Sequence, residues 1–134
     1  MFDYESHFKA NPNGVLATCE GPHIRSRVFQ FLFCIDGLMY FCTSNEKDVF
    51  QQLSTNPHVS FCSSAPNWSQ VVSVSGTAHF QDSPELKKRT LDENPVIAGI
   101  FKTPENPVFT LFYVKVEQVA TFSYKDGPRK YTMP

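Results

Sequence analysis

Two arginines and one lysine are spaced so that they could bind a phosphate group together. In residues 24–35 the odd-numbered positions hold Arg25, Arg27 and then core aromatics, so both guanidinium groups project from one strand face. Lys47 is predicted in the first turn of a helix, where a cation opposes the helix dipole unless an anion lies nearby. The three cations and the free N–H groups of that helix suit a phosphate dianion. The spacing therefore predicts a phosphate-binding site.

The elements predicted to carry these cations are a β-hairpin and a helix. Asp36-Gly37 favours a tight turn between the arginine strand, residues 25–35, and a second strand over residues 38–42. The segment from Thr43 and Ser44 to Glu46 matches a T-x-x-E capping box, which predicts a helix near residues 46–54. One of the two hydroxyl groups at the start of that box would then contribute to the phosphate site.

A purely structural role would explain the same cations. Arg25 and Arg27 would pair with acidic residues at the rim of a barrel, and Lys47 would be a solvated surface lysine. Glu46 also competes with a phosphate for the helix N-terminus, because its carboxylate can interact with the positive end of the helix dipole in place of a phosphate. The phosphate prediction depends on the combination of residues and not on any one of them.

The size, charge and composition of the chain argue against several classes of protein. A length of 134 residues predicts one domain over residues 1–134, and 41% hydrophobic residues with 13 phenylalanines indicate a globular, β-rich core. A net charge of -1 without a basic run argues against binding to nucleic acid or anionic lipid. Residues 1–11 are polar and no apolar stretch reaches membrane-spanning length, so we expect a cytoplasmic protein.

The four cysteines are predicted to be free thiols. Cys19, Cys34, Cys42 and Cys62 lie apart in apolar, strand-like runs, with no C-x-x-C pair and no histidine at ligand spacing. This pattern predicts no metal site, although one disulfide pair remains compatible with the sequence. Cys42 lies next to the proposed phosphate site and is the cysteine to test for reactivity.

The remaining elements are mostly strands. Alternation over residues 72–80 is the cleanest in the chain and predicts one buried face, with Gly76 at a bulge or barrel corner. Further strands are expected over residues 14–20, 58–63, 107–117 and 119–124, the last two separated by a tight connection, and short helices over residues 3–9, 84–91 and 95–100. Six or seven strands with few helices predict a mainly β fold, a small antiparallel barrel.

The order and spacing of six segments resemble the pyridoxamine 5′-phosphate oxidase-like FMN-binding split-barrel family, in particular its nitroimidazole-resistance and general-stress-protein branches. The segments are GVLATCEG, the P-x-x-R-x-R-x-F strand, YFCTSNEKDVFQQL, NPHVSF, VSVSGTAHF and FTLFYVKVEQV. They cover nearly the whole chain. The resemblance implies a split β-barrel that forms one FMN-binding domain, and a homodimer with two flavin sites at the subunit interface.

The resemblance also implies which residues contact the cofactor. The residues that match the family's flavin-phosphate positions are Arg25, Arg27, Thr43, Ser44 and Lys47. The backbone around Val28, Phe29 and Cys42 would border the ribityl chain and the isoalloxazine edge.

The chain differs from the family on one strand. Relatives commonly carry a W-x-R-x-x-G or Q-x-R-x-x-G pattern, whose Trp or Gln and Arg approach the flavin from the partner subunit. Counted back from Gly76, these positions hold Val71 and Ser73, so the arginine is missing. Trp68 and Gln70 lie just upstream and are candidates to substitute for the missing side chains. We expect weaker FMN binding, since a charge-assisted hydrogen bond contributes roughly 1.5–3 kcal/mol.

The function implied by the resemblance is that of an FMN-dependent oxidoreductase. It would pass electrons or hydride between a reduced nicotinamide and a small acceptor, and because the flavin carries the chemistry no catalytic side chain is assigned. One alternative is a non-catalytic flavin-binding or sensing dimer. Another is a barrel that binds haem or a deazaflavin, although haem needs an axial histidine and the four histidines show no clear pattern: His7, His23, His58 and His79.

Overall fold

Alternating apolar and polar residues form eight antiparallel strands in the computed structural model, which describes all residues from Met1 to Pro134. The strands are β1 (Asn13–Glu20), β2 (His23–Gln30), β3 (Phe33–Ile35), β4 (Leu38–Ser44), β5 (His58–Ser64), β6 (Val71–Gln81), β7 (Phe109–Ser123) and β8 (Gly127–Thr132). They pair in the order β2-β1-β5-β6-β7-β4-β3, and β8 adds to β7. The two edge strands β2 and β3 do not pair with each other, so the barrel is split, as the family resemblance implied.

Four short helices connect and cover the strands. They are α1 (Tyr4–Ala10), α2 (Asp48–Thr55), α3 (Pro84–Glu93) and α4 (Pro95–Phe101). Two of the predicted helices begin with a side-chain cap: the Asp3 carboxylate accepts from the Ser6 N–H at 3.1 Å, and the Ser83 hydroxyl accepts from the Leu86 N–H at 3.2 Å. None of the helices combines the length and the apolar composition that crossing a membrane requires.

The core is aromatic and centres on Phe41. Its fully buried ring contacts four other phenylalanine rings, with centroid distances between 4.9 and 6.2 Å. These partners come from three elements and one connection of the barrel: Phe29, Phe31, Phe61 and Phe112. Five of the 13 phenylalanines, Phe41 and these four, therefore pack together inside the barrel.

The predicted arginine strand is divided in two by a change of partner. β2 ends at Gln30, and the Phe31 N–H then donates to the Pro12 carbonyl at 2.8 Å, beside β1. The next N–H, that of Leu32, donates to the Tyr40 carbonyl at 3.0 Å, so the chain has crossed to β4. The predicted turn at Asp36-Gly37 is confirmed, and both residues have the positive φ that a tight hairpin turn requires.

The predicted break near Glu117 is wrong, because β7 runs without interruption. On β6, Ser75 lies opposite Gln118 and Gly76 lies opposite Val116, so Glu117 has no partner in that register. The extra residue forms a β-bulge, which confirms the irregularity predicted at Gly76. After a turn over residues 124–126, β8 begins at Gly127, where φ is +68°, and pairs with β7.

Candidate functional site

Two adjoining clefts lie beside β2: one between β2, the connection from β4 to α2, and helix α4, and the other between β2, the end of β1 and the start of α2. One has a volume of about 460 Å³ and the other of about 600 Å³. Val28, Phe29 and Lys47 line both of them. The clefts therefore meet along β2, and a ligand with two chemically different ends could occupy both.

The larger cleft, which we call the cationic cleft, holds the three predicted phosphate-binding cations. Arg25 and Arg27 reach it from β2, and Lys47 reaches it from the start of α2. Its other lining residues are Glu20, Ser26, Val28, Phe29, Asp48, Val49 and Gln52. Period-2 geometry did place both arginines at one site, although Arg25 is exposed and only Arg27 is half-buried.

The smaller cleft, which we call the apolar cleft, is lined mainly by hydrophobic side chains. Helix α4 forms one wall, because its sequence PVIAGIF directs apolar residues towards β2 and β4. The hydrophobic lining residues are Val28, Phe29, Cys42, Val96, Ile97, Ile100, Phe101 and Val108, and the polar ones are Gln30, Thr43, Ser44, Glu46, Lys47 and Asn106. A flat apolar ring with polar edges fits this composition.

Eight of the ten predicted cofactor residues line these clefts. They are Arg25, Arg27, Val28, Phe29, Cys42, Thr43, Ser44 and Lys47. Trp68 and Gln70 lie elsewhere: Trp68 is 67% exposed on a 3₁₀ turn between β5 and β6, and the Gln70 amide donates to the Phe122 carbonyl at 3.4 Å. Neither residue lines either cleft.

Arg27 is held by a network of neutral acceptors. Its Nη1 donates to the Thr18 hydroxyl at 2.8 Å and to the Leu16 carbonyl at 3.3 Å, and its Nη2 donates to Gln52 Oε1 at 2.6 Å. Thr18 and Gln52 are 1% and 6% exposed, so the guanidinium lies against a rigid, buried support. Burial lowers the pKa of Arg27, and the carboxylates of Asp48 and Glu20 oppose this shift.

Arg25 has a different environment from Arg27. Its Nε donates to Glu20 Oε1 at 3.0 Å in an exposed salt bridge, whereas Arg27 forms no salt bridge. Hydrogen bonds from Gln52 and from Arg25 lower the pKa of the Glu20 carboxyl group. The pairing with an acidic residue that the structural alternative requires is therefore present for Arg25 and absent for Arg27.

The predicted capping box does not form. Thr43 lies in β4, opposite Thr110, and helix α2 begins two residues later than predicted, at Asp48. Lys47 is the N-cap residue, with an extended backbone and no side-chain cap, and the Ser44 hydroxyl accepts from the Glu46 N–H at 3.2 Å. β-sheet pairing of Thr43 overrode the local helix-start signal, because the strand continues through Ser44.

The Thr43 hydroxyl has no hydrogen-bond partner in the protein. Thr43 is 4% exposed and lines the apolar cleft, and its Oγ1 is the one buried side-chain oxygen or nitrogen without a partner. A buried unpaired hydroxyl typically costs about 1–3 kcal/mol. This cost is recovered if a ligand in the cleft bonds to Thr43.

The structure does not support a reactive Cys42. Burial raises the pKa of the Cys42 thiol to about 12, and the nearby Lys47 only partly opposes this. The thiolate is the reactive form, so Cys42 is expected to react slowly near neutral pH. All four cysteines are free, as predicted, and no group of His, Cys, Asp and Glu side chains could hold a metal ion.

Sequence reasoning missed Gln52, Thr18 and the apolar residues of α4. Gln52 could have been noticed, because it lies between Val49 and Leu53 on the apolar face of α2, where a polar residue is unexpected. Nothing in the sequence signals Thr18, which lies in an ordinary alternating strand.

The histidines lie outside both clefts. His7 is buried and its Nε2 lies 3.1 Å from the Ser63 hydroxyl, while His79 stacks on Tyr113 and bonds to Thr77. His23 and His58 are exposed at the starts of β2 and β5. No histidine is placed to ligate an iron in either cleft.

Comparison with known proteins gives one family and one fold. The family model described as pyridoxamine 5′-phosphate oxidase matches residues 4–123. No curated protein sequence matches the chain.

Several solved structures share the fold. A NimC/NimA family protein from Clostridium acetobutylicum has 23% sequence identity and a TM-score of 0.85, over 96% of this chain and 88% of that one. An FMN-binding protein related to pyridoxamine 5′-phosphate oxidase, from Nostoc punctiforme, has 15% identity and a TM-score of 0.66, over 89% and 78%. A heme-binding protein from Mycobacterium smegmatis has 18% identity and a TM-score of 0.76, over 92% and 54%. Others are named general stress protein 26.

Proposed function

Because the chain belongs to the pyridoxamine 5′-phosphate oxidase family, we propose that its two clefts bind FMN. The observation that carries this proposal is the meeting of a cationic and an apolar cleft along β2. FMN has a doubly charged phosphate at one end and a flat aromatic ring at the other, so its two ends match the two clefts.

The residues of the cationic cleft would hold the phosphate. Arg27 and Lys47 are not engaged in salt bridges and can donate directly, and Arg25 can share its charge between Glu20 and the phosphate. Ser44 lies at the same junction, between β4 and α2. The Thr43 hydroxyl is buried at the wall of the apolar cleft and has no partner, so a polar group of the cofactor would form its missing hydrogen bond.

The activity that fits this site is that of an oxidoreductase. Bound FMN would supply the redox chemistry, passing electrons or hydride between a reduced nicotinamide and a small acceptor. The chain's own residues would bind and orient the cofactor, and α4 would exclude water from one side of the apolar cleft through Val96, Ile97 and Ile100. No protein side chain is assigned a catalytic role.

FMN titration of the purified protein tests the proposal, with riboflavin as the matched ligand that lacks only the phosphate. We expect FMN to bind more tightly than riboflavin by about 10-fold or more, since one phosphate contact is a charge-assisted hydrogen bond of roughly 1.5–3 kcal/mol. The visible absorption spectrum before titration shows whether flavin copurifies. Colourless protein that binds neither ligand at micromolar concentration would contradict the proposal.

A non-catalytic flavin-binding or sensing protein is the second candidate. It is favoured by β6, where Ser73 stands at the position that carries an arginine in relatives, and its hydroxyl lies 3.3 Å from the Ser60 hydroxyl. This strand therefore supplies no cation to a flavin. Steady-state oxidation of reduced nicotinamide with an electron acceptor separates the candidates, because only the oxidoreductase turns over. Haem has less support, since no histidine lines the clefts.

We further propose that the protein is a homodimer even without cofactor. Large apolar side chains remain exposed beside the apolar cleft: Val28 is 73%, Val96 80% and Ile100 65% exposed. Adjacent exposed apolar side chains of this kind mark interaction surfaces, and symmetric dimers are the commonest assembly. Light scattering of flavin-free protein is expected to give the mass of two chains. A mass of about 15.2 kDa, that of one chain, would contradict the dimer.

A further inference from the structure

We propose that Gln52 is a positioning residue, which holds Arg27 ready for a phosphate group without neutralising its charge. This role rests on the proposed FMN site. Gln52 lies on the buried face of α2 and is 6% exposed, so its amide is fixed by its surroundings. Its two ends bond to groups of opposite charge.

The orientation of the Gln52 amide is determined by its partners. Its Oε1 accepts from Arg27 Nη2 at 2.6 Å and from the Thr18 hydroxyl at 2.6 Å. Its Nε2 donates to Glu20 Oε2 at 3.1 Å. An amide can accept at one end and donate at the other, whereas a carboxylate can only accept. Gln52 therefore bonds to the Glu20 carboxylate through its Nε2 and to Arg27 through its Oε1, and Glu20 forms no ion pair with Arg27.

Neutral support leaves the charge of Arg27 free for a ligand. Three of its hydrogen bonds go to the protein, and all three acceptors are uncharged: the Leu16 carbonyl, the Thr18 hydroxyl and Gln52 Oε1. A guanidinium has five N–H donors, so two remain for a phosphate oxygen. A carboxylate in place of Gln52 would instead form an ion pair with Arg27 and compete with the phosphate.

The variant Gln52→Glu tests this role, with Gln51→Glu as the matched control. Gln51 is the exposed neighbour on α2 and lines neither cleft. The Gln51→Glu variant therefore adds the same negative charge to the helix without placing it beside Arg27. We expect Gln52→Glu to weaken FMN binding by about 10-fold or more, the effect of losing one charged contact to phosphate. Riboflavin affinity is expected to stay unchanged, and Gln51→Glu to change neither affinity. Flavin fluorescence gives both dissociation constants.

The ratio of FMN to riboflavin affinity separates the possible outcomes. An unchanged ratio in folded Gln52→Glu protein would overturn the role of Gln52 while the phosphate site stands. Wild-type protein without any preference for FMN would overturn the phosphate site, and the role of Gln52 with it.

A second variant covers the case in which Gln52→Glu does not fold. Gln52→Met keeps the length of the side chain and removes both ends of the amide link, so Arg27 keeps its charge but loses a support. We expect the ratio of FMN to riboflavin affinity to fall, but by less than in Gln52→Glu. A wild-type ratio in Gln52→Met would overturn the proposal.

Discussion

The Arg27→Ala protein is expected to fold and to lose FMN affinity by about 10- to 100-fold, because it removes charge-assisted hydrogen bonds of roughly 1.5–3 kcal/mol. Arg27 is the half-buried cation of the cationic cleft and forms no salt bridge within the protein. The Arg27→Ala substitution therefore breaks no ion pair within the protein. Riboflavin affinity is expected to change much less, since riboflavin has no phosphate.

Folding should survive because the support of Arg27 remains satisfied without it. The Thr18 hydroxyl still donates to Gln52 Oε1 at 2.6 Å, and the Gln52 amide still donates to Glu20. Circular dichroism and thermal unfolding of the variant check this expectation. An unfolded or aggregated Arg27→Ala protein would favour a structural role for the arginine.

The matched control for this experiment is Arg25→Ala. Arg25 reaches the same cleft, but its guanidinium is already engaged by Glu20 at 3.0 Å and is about half exposed. Solvent screens the charge of an exposed side chain, so an ionic contact between Arg25 and the phosphate is expected to contribute only about 0–1 kcal/mol. We expect a smaller loss of FMN affinity than for Arg27→Ala. Equal losses would show that the two arginines contribute equally and that the buried support of Arg27 has no special effect.

The Gly76→Ala protein is expected to be destabilised by about 3 kcal/mol or more, the upper range for a group forced into a packed site. A β-carbon built on Gly76 would overlap the Lys115 carbonyl oxygen and approach the Val116 Cα at 3.1 Å. Both are backbone atoms of β7, so no side chain can move aside. The overlap lies at the β-bulge where the two longest strands, β6 and β7, pair. Removing the overlap would require these two strands to move apart.

Gly99→Ala is the control for the glycine prediction. Gly99 lies in helix α4 and a β-carbon there meets no atom within 4 Å. Alanine is the better helix former by about 0.8–1.0 kcal/mol, so this variant is expected to be unchanged or slightly more stable. Urea unfolding gives both free energies. A Gly76→Ala protein as stable as Gly99→Ala would contradict the proposed contact between β6 and β7.

The features that the sequence predicted correctly depend on neighbouring residues. The Asp36-Gly37 turn and the starts of the helices predicted over residues 3–9 and 84–91 each depend on only two to four adjacent residues. The alternation on β6 predicted a buried face, and Val72, Val74 and Ala78 are buried there. The family resemblance, which the matching family model confirms, added the split barrel from the order of short segments.

The errors arose where distant pairing overrode a local signal. Thr43 and Glu46 have the spacing of a capping box, but Thr43 pairs with Thr110 on β7, so the strand continues through the predicted helix start. The two adjacent polar residues Glu117 and Gln118 suggest a connection between two strands. In the structure β7 is continuous there, because it forms hydrogen bonds with β6 on one side and β8 on the other. Sheet hydrogen bonds come from partners far away in sequence, and a local pattern cannot report them.

The sequence by itself determined which residues could bind a phosphate, since charge and strand period follow from residue type and position. Only the tertiary structure decided how each cation is supported. Arg27 meets Gln52 across 25 positions of the chain, and Thr18 meets it across 34. Helix α4 likewise closes the apolar cleft more than fifty residues after β4. These contacts depend on the packing of separate elements, and that packing is set by burial of the whole core.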